Sequence, residues 1–410
     1  MPIPQKYIEN YFKRFAEKEP LIQEPIDPKC EMIIVIPCHN EPNLLGTLES
    51  LVACDLPDVS VEVLVVLNQK SEVGNEAENK QNRKTLSEFN QWSKNHLNST
   101  LKFHLIEALS MPAKHAGVGL ARKIGMDEAL RRFISIHRDG TIVCLDADCT
   151  VSKSYLKSID QKFTASDAGL GEVSYEHLFE RESDLSLKTG ILYYELFLRY
   201  YVEGLKYAGF PYAIQTIGSC MLVKASVYAK HGGMNKRKAG EDFYFLHKII
   251  PHEKFTEVNL GKVYPSCRTS DRVPFGTGKA QQDWLDQSES IYLAYDPKIF
   301  SELKDLFRTV DDFYQDEVIE VLERLSPISK AFMVEFSFQE KLELIKVNCK
   351  SNDQFRKQFF IWFDGFLCMK YVHFVRDNFH PNIPIIKAMD HADFDWDSRT
   401  RELLRAVGDL

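Results

Sequence analysis

The sequence predicts an α/β protein with a mostly parallel sheet that is flanked by helices. Over the first half of the chain, short apolar runs of strand length alternate with segments of helical periodicity, which is typical of parallel strands joined by right-handed crossovers. After about residue 282 the pattern is helical throughout, which predicts a helical C-terminal subdomain. The clearest strands are Met32–Ile36, Val61–Leu67, Leu101–Ala108 and Ile142–Leu145.

Length and composition set the expected domain organisation. A chain of 410 residues with 44% hydrophobic residues is long enough for one large α/β domain and a smaller one. We expect a lead-in helix and linker over 1–30, the α/β domain over 31–281 and the helical subdomain over 282–410. The net charge of −8 disfavours a broad nucleic-acid surface.

Several features predict a cytoplasmic protein. Nine cysteines without a C-x-x-C pair indicate thiols in a reducing compartment. Charges throughout the first thirty residues argue against a signal peptide. The most apolar late segment, Phe359–Phe374, is interrupted by Asp364, Lys370 and His373, so we expect no membrane span and leave a peripheral membrane contact open.

The elements follow in order from local signals. Pro37 should stop the first strand, and the loop CHNEP leads into a helix with apolar positions over 44–52. The second strand should end at Asn68, after which the polar segment Gln69–Arg83 leads into a helix around Lys84–Asn95.

The third strand precedes a basic, glycine-containing stretch, which we expect to run from a loop into a helix that ends near Arg132. Later elements are a helix Ser152–Thr164, a strand Gly171–Tyr175, a helix Leu185–Tyr207, a strand ending at Val223, a helix beginning with Glu241 and Asp242, and a strand Val258–Tyr264.

Two carboxylates follow the fourth strand. Asp146 and Asp148 should emerge at its carboxyl end, where open α/β sheets bind ligands, and their alternation points both side chains the same way. Ala147 between them leaves room for a large ligand. Such a pair suits Mg²⁺ or Mn²⁺, which keeps coordination positions open for diphosphate oxygens. The alternative is that both acids merely cap a strand-to-helix turn.

Four segments occupy the same kind of position, just past a predicted strand: CHNEP, the Asn68 turn, the DAD pair and GEDF. In this order they resemble the glycosyltransferases of family 2, which have the GT-A (nucleotide-diphospho-sugar transferase) fold. The resemblance covers roughly 31–264. The segment IIVIPCHNEPNLLGTLESL is similar to the strand–loop–helix that opens the family's domain. LDADCTVSKSYL is similar to the family's metal motif, and AGEDFYFLHKI is similar to its Glu–Asp motif. Its basic segment is matched by Lys114, Gly117, Ala121, Arg122 and Gly125.

The resemblance implies an inverting transfer of a sugar from a nucleotide-diphosphate donor to an acceptor hydroxyl on a saccharide or lipid-linked glycan. The cation would be held by Asp148, with Asp146 on its waters or on the ribose, and would neutralise the leaving diphosphate. Asp242 would be the catalytic base, and Glu241 would orient the loop or the acceptor. The implied donor residues are Pro37, His39, Asn40, Glu41, Asn68, Lys114, Gly117, Arg122, Asp146 and Arg272, and the implied acceptor residues are Gly218 and Ser219.

The sequence departs from the family pattern in several places. Leu67 and Asn68 stand where many members carry acids that contact the nucleotide base, which leaves uridine, guanosine and thymidine donors open. Lys123 stands where Asn is frequent, and no clear histidine follows the last strand as a further metal ligand. A glycine-containing loop carries positive charges that suit closure over the product diphosphate, at Arg268, Arg272 and Lys279.

Other functional interpretations compete. DADCT also satisfies the D-x-D-x-T motif of haloacid-dehalogenase-type phosphatases, with Asp146 as nucleophile, Asp148 as acid/base and Thr150 as a phosphate contact. That motif normally opens its domain, whereas three β-α units precede it here. A binding module on the same fold would not need Asp242, which would then be a helix N-terminal acid. A sugar nucleotidyltransferase would begin with a glycine-rich loop in place of CHNEP.

Overall fold

The computed structural model describes residues 2–16, 19–71, 76–270, 274–287 and 291–409. Its helices are α1 (Gln5–Arg14), α2 (Leu44–Val52), α3 (Glu76–Asn95), α4 (Val118–Ser135), α5 (Tyr155–Ile159), α6 (Leu185–Ala208), α7 (Ala225–Lys230), α8 (Glu241–Ile249), α9 (Thr277–Asp286), α10 (Lys298–Arg308), α11 (Val310–Gln315), α12 (Val318–Arg324), α13 (Pro327–Glu335), α14 (Phe338–Val347), α15 (Asn352–Trp362), α16 (Gly365–Asn378), α17 (Ile385–His391) and α18 (Ser398–Gly408). Its strands are β1 (Cys30–Cys38), β2 (Ser60–Lys70), β3 (Leu101–Met111), β4 (Thr141–Cys144), β5 (Thr150–Val151), β6 (Leu170–Tyr175), β7 (Met221–Lys224), β8 (Phe255–Tyr264), β9 (Leu293–Ala294) and β10 (Ile383–Pro384).

The first eight strands form one sheet in the order β3-β2-β1-β4-β7-β6-β8-β5. Strands β1 to β4 pair in parallel, as do β6 and β8, while β7 pairs antiparallel with β4 and β6 and β5 pairs antiparallel with β8. Strands β1 and β2 are buried along most of their length, which explains their continuous apolar sequences. The predicted fold class, a mostly parallel sheet flanked by helices with a helical C-terminal part, is confirmed.

The chain divides into two compact units, one of residues 1–181 and 216–279 and the other of residues 182–215 and 280–410. The first unit contains the large sheet. Residues 182–215, which we expected in the α/β domain, belong to the second unit because α6 packs against α10 and α18. Helix α1 packs against α7 and is part of the first unit.

Helix α4 lies close against β1 and β2, and one glycine permits the approach. A Cβ atom at Gly125 would lie 2.4 Å from Cγ1 of Val35 and 2.9 Å from Cγ2 of Val66, so any larger residue would push the helix off the sheet. Arg122, three residues earlier, shares a helix face with Gly125. The close packing of α4 therefore fixes the position of Arg122 over the sheet.

Several predicted element boundaries were wrong. Strand β1 continues through Pro37 to Cys38, because β4 pairs with β1 only at 32–35 and the missing N–H of Pro37 costs no bond to that neighbour. Strand β2 continues past Asn68 to Lys70, and α3 already begins at Glu76. The helix expected over 152–164 is a short α-helix, α5, followed by a π-helical turn over Asp160–Thr164.

Over its described residues, the second unit has helices and the two-stranded β9–β10 ladder as its regular elements. Helix α6 begins where Asp184 accepts hydrogen bonds from the backbone N–H groups of Ser186 and Leu187, and it ends at Gly209, whose φ of 85° is left-handed. In the core of the second unit, Phe307 of α10 and Phe360 of α15 pack edge to face. None of the helices in the described ranges combines the length and apolar composition needed to cross a bilayer.

Candidate active site

Many of the predicted site residues lie where β1, β2 and β4 end in the first unit. His39, Asn40 and Glu41 follow β1, Asn68 lies near the end of β2, and Asp146 and Asp148 follow β4. Gly218 and Ser219 lie in the 3₁₀ turn Gly218–Cys220 that leads into β7, and Glu241 and Asp242 begin α8. Carboxyl ends of parallel strands are where α/β sheets bind ligands, so this edge of the sheet is the candidate site.

A buried arginine joins two of the predicted acids. Arg122 is 1% exposed, and its Nη2 donates to Oδ1 of Asp146 at 2.6 Å while its Nη1 donates to Oε1 of Glu241. Burial alone would lower the pKa of Arg122, but the charges of Glu241 and Asp146 outweigh it and raise that pKa. Arg122 therefore stays positively charged at any physiological pH.

The Asp242 carboxylate lies beside the same guanidinium. A Cβ atom built on Gly218 would lie 2.8 Å from both Nη atoms of Arg122 and 3.0 Å from Oδ2 of Asp242. Asp242 is partly exposed, and its Oδ1 accepts a hydrogen bond from the backbone N–H of Phe243 at 2.8 Å. Three carboxylates, of Asp146, Glu241 and Asp242, thus surround Arg122, and glycine at 218 leaves the space that they need.

The pKa values of Glu241 and Asp242 are raised in this cluster. Burial is the largest cause that raises the pKa of Glu241 to about 7, opposed by Arg122 and reinforced by the charge of Asp242. Burial also raises the pKa of Asp242, again opposed by Arg122. A carboxylate with a raised pKa is a stronger base, so Asp242, a half-buried residue, is suited to accept a proton.

A second arginine joins two loops of the site. Nη1 of Arg268 donates to Oε1 of Glu41 at 2.9 Å, and Nη2 donates to Oε2 of Glu41 and to Oδ2 of Asp148 at 3.2 Å. The Glu41 side chain is 1% exposed, whereas those of Arg268 and Asp148 are 33% and 29% exposed. The backbone N–H of Asn43 also donates to Glu41 Oε1, at 2.9 Å. Glu41 is therefore fixed in place, with Arg268 as a solvent-facing partner.

The loop after β1 is held against β2 and α3. Nδ1 of His39 donates to the Asn68 carbonyl at 2.9 Å, and the backbone N–H of Asn40 donates to Oδ1 of Asn82 at 2.9 Å. Asn82 also donates from Nδ2 to the Asn68 carbonyl at 3.3 Å. Asn40 has a left-handed φ of 49°, which asparagine tolerates better than most residues. These contacts fix the backbone around Glu41.

Other predicted site residues take less central places. Lys114 is exposed on the turn before α4, and a Cβ atom on Gly117 would lie 2.9 Å from Cα of Lys238, so this glycine allows close packing. Pro37 is buried in β1, opposite Val66. Ser219 is buried in the middle of the 3₁₀ turn Gly218–Cys220, and its acceptor role stays a prediction. Arg272 lies outside the described residues.

Sequence reasoning missed Asn82 because it treated 69–83 as a polar lead-in, whereas Asn82 is 1% exposed inside α3. Arg268 was expected to approach a diphosphate, and its contacts with Glu41 and Asp148 had no local signal in the sequence. A buried asparagine and a distant ion pair leave no pattern that one sequence alone can reveal.

The residues after β4 fit the predicted cation. Asp146 and Asp148 offer hard carboxylate oxygens, and their side chains are 37% and 29% exposed. Within the described ranges, no group of three or more His, Cys, Asp or Glu side chains is placed to hold a metal ion. Mg²⁺ and Mn²⁺ commonly bind through one or two carboxylates and complete their coordination with phosphate oxygens and water. This donor set therefore suits a cation that arrives with a diphosphate.

No family model matches the chain, and no curated protein matches its sequence. Among solved structures, the chain is similar to S. aureus TarS 1–349 in complex with UDP-GlcNAc, at 13% identity and a TM-score of 0.39, over 80% of this chain and 89% of that one. The same TarS fragment in complex with UDP gives a TM-score of 0.38 at the same identity and coverage. A longer TarS structure matches at 13% identity and a TM-score of 0.39, over 80% of this chain and 54% of that one. We infer the function of this chain from the residues of its own site.

Proposed function

We propose that this protein is a glycosyltransferase that moves a sugar from a nucleotide-diphosphate donor to an acceptor hydroxyl with inversion. The observation that carries the proposal is the gathering of Asp146, Glu241 and Asp242 around Arg122 at one edge of the sheet. Three acids around one cation, with raised pKa values at Glu241 and Asp242, are typical of a site that binds or transforms a ligand.

Asp242 is the proposed catalytic base. It is a half-buried residue at the N-terminus of α8, and burial of its carboxyl group raises its pKa toward the range in which it can take up a proton. Removal of the acceptor hydroxyl proton would let the oxygen attack the anomeric carbon as the bond to the diphosphate breaks. Glu241 and Arg122 form a buried ion pair next to Asp242. We propose that this pair keeps the side chains of Asp242 and Asp146 in position.

Asp148 and Asp146 are the proposed holders of Mg²⁺ or Mn²⁺, which would supply positive charge for the departing diphosphate. Arg268 faces the same side of the site and adds a guanidinium with planar donors that suit phosphate oxygens. His39, Asn40 and Asn68 line the loop that we assign to the nucleoside. The acceptor is a hydroxyl of a saccharide or lipid-linked glycan.

A thermal-shift screen of UDP, GDP and dTDP, each with MnCl₂, tests the donor part of the proposal. A nucleoside diphosphate that binds the folded protein at about 100 times its Kd stabilises it by about 2.7 kcal/mol. We expect stabilisation by at least one of the three nucleotides and its loss in Asp148→Asn. If all three leave the melting temperature unchanged, the donor assignment is wrong.

A pair of variants separates this activity from the alternative phosphatase. For a transferase, Asp242→Asn should lose turnover yet keep nucleoside diphosphate binding. For a D-x-D-x-T phosphatase, Asp146→Asn should remove phosphate release while Asp242→Asn leaves it unchanged. A binding module would keep nucleotide binding in Asp242→Asn and show no turnover in the parent protein.

A further inference from the structure

Arg268 is a cation that the protein itself places between two acids of the site. Its Nη2 lies 3.2 Å from Oδ2 of Asp148 and also donates to Glu41, while its Nη1 lies 2.9 Å from Oε1 of Glu41. Glu41 follows β1 and Asp148 follows β4, so one guanidinium joins two loops that are far apart in sequence. Asp148 is also the acid that we assign to the divalent cation.

The two contacts of Arg268 differ in character. With Glu41 the guanidinium makes a two-pronged ion pair to a carboxylate that is 1% exposed, which is a geometry that holds arginine strongly. With Asp148 it makes a single contact at 3.2 Å to a side chain that is 29% exposed. The Asp148 contact is therefore the weaker one, and it can be given up while the Glu41 contact remains.

Arg122 provides the contrast. It is 1% exposed and lies beneath the site, so its charge cannot be exchanged without opening the interior. Arg268 is 33% exposed, so solvent and ligands can reach its guanidinium. Of these two arginines, Arg122 therefore carries a permanent positive charge, and Arg268 carries one whose partners a ligand can replace.

We propose that Arg268 and the divalent cation compete for Asp148, so that Arg268 neutralises this acid until a nucleoside diphosphate is bound. This inference rests on the proposed function. A diphosphate offers the guanidinium new oxygens of opposite charge and thereby releases Asp148 to the cation. The cation and the nucleotide then strengthen each other's binding, because linkage makes such coupling reciprocal.

The competition predicts how Mn²⁺ alone binds. The cation must displace Arg268 before it can bind Asp148, and a tenfold change in affinity corresponds to about 1.4 kcal/mol. We therefore expect Arg268→Gln to bind Mn²⁺ at least about tenfold more tightly than the parent protein, in a titration that follows the electron paramagnetic resonance signal of unbound Mn²⁺. Arg138→Gln is the matched control, because Arg138 is an exposed arginine paired with Glu31 elsewhere in the first unit. Equal Mn²⁺ affinity in Arg268→Gln and the parent would overturn the inference.

Two further measurements keep the test decisive if Arg268→Gln fails to fold. Arg268→Lys keeps a cation at this place and should retain the weak Mn²⁺ binding of the parent. In the parent itself, saturation with the nucleoside diphosphate that stabilises it most should increase Mn²⁺ affinity by a similar factor. A parent protein that binds the nucleotide without any change in its Mn²⁺ affinity contradicts the competition.

Failure of the proposed cation site would give a different result. In Arg268→Gln/Asp148→Asn the gain in Mn²⁺ affinity should disappear. If that double variant binds Mn²⁺ as tightly as Arg268→Gln, the ion binds away from Asp148 and the metal part of the proposed function is wrong. If the gain disappears but no nucleoside diphosphate binds the parent, Arg268 does compete with the ion at Asp148 and the donor assignment fails.

Discussion

Two adjacent residues of α4, Arg122 and Lys123, enter two buried clusters of opposite character. Arg122 lies among three carboxylates, and two of them, Asp146 and Asp242, are partly exposed. Lys123 Nζ donates to Oδ2 of Asp127 at 2.9 Å and to the hydroxyl of Tyr11 at 2.8 Å. The first cluster has an excess of acid beside solvent, whereas the second, among the residues that the structure describes, contains a buried ion pair of Lys123 with Asp127.

The cluster around Lys123 joins α4 to α1 and α7. Hydroxyls of Tyr11 and Tyr228 donate to Oδ1 of Asp127 at 2.5 Å and 2.6 Å, and all four side chains are almost completely buried. Burial and the charge of Asp127 raise the pKa of Tyr228, so this hydroxyl stays a neutral donor. The comparison shows how a matched, enclosed cluster serves packing, while an acid-rich cluster beside solvent is suited to a ligand.

The variant Asp242→Asn should give the largest effect on the cluster around Arg122. We expect a loss of transferase turnover of about 10²- to 10⁴-fold, because general base catalysis contributes that much, with nucleoside diphosphate binding unchanged. Activity assays and calorimetric titration of the nucleotide measure the two effects. Asp167→Asn is the matched control, since Asp167 is an exposed acid paired with Lys254. Turnover within twofold of the parent would remove Asp242 from the chemistry.

A substitution in the buried cluster around Lys123 should lower the free energy of unfolding. Asp127→Ala leaves the Lys123 ammonium buried without its carboxylate, and removal of one partner of a buried ion pair costs about 3–5 kcal/mol of unfolding free energy. Urea denaturation measures this loss. Because replacement of both partners by apolar residues is often close to neutral, Lys123→Met/Asp127→Leu should recover most of it. The comparison fails if Asp127→Ala keeps full stability and abolishes nucleotide binding.

The acid-rich cluster should make stability depend on pH through Glu241. Its pKa is raised from 4.5 in the unfolded chain to about 7 by burial, so between these pH values the folded state retains a proton that the unfolded state has released. The unfolding free energy therefore falls as pH rises through this range, by up to about 3 kcal/mol from this group. Urea denaturation at pH 5 and pH 7 should show this fall in the parent and a smaller one in Glu241→Gln. An identical pH dependence in both proteins contradicts the account.

Gly218→Ala should give the smallest effect. The added Cβ would lie 2.8 Å from the Arg122 guanidinium and 3.0 Å from Asp242, which displaces these groups by a few tenths of an ångström. We expect about a tenfold loss of kcat, since small misplacements of reacting groups are costly, with a thermal midpoint close to that of the parent. Gly408→Ala, which meets open space, is the control. Unchanged kcat in Gly218→Ala would show that this contact has no role in positioning.

The sequence predicted the positions of some site residues but not the contacts that others make. Asp146, Asp148 and Asp242 could be located because they follow strands or begin a helix, and such ends have local signals. Lys123 was recognised only as a departure from the family pattern, and its partner Tyr11 lies in a helix outside the resemblance. The contact between Arg268 and Glu41 joins distant parts of the chain, and tertiary packing alone decides it.

Calorimetric titration of the most stabilising nucleoside diphosphate, with MnCl₂ present, tests the central claim most directly. The claim is that the acid-rich edge of the sheet around Arg122, Asp146 and Asp148 is the donor site. We predict saturable binding to the parent and to Arg138→Gln, and a loss of at least about tenfold in affinity for Asp148→Asn, the equivalent of about 1.4 kcal/mol. Parent-like affinity in Asp148→Asn, or no binding of UDP, GDP or dTDP to the parent, would contradict the account.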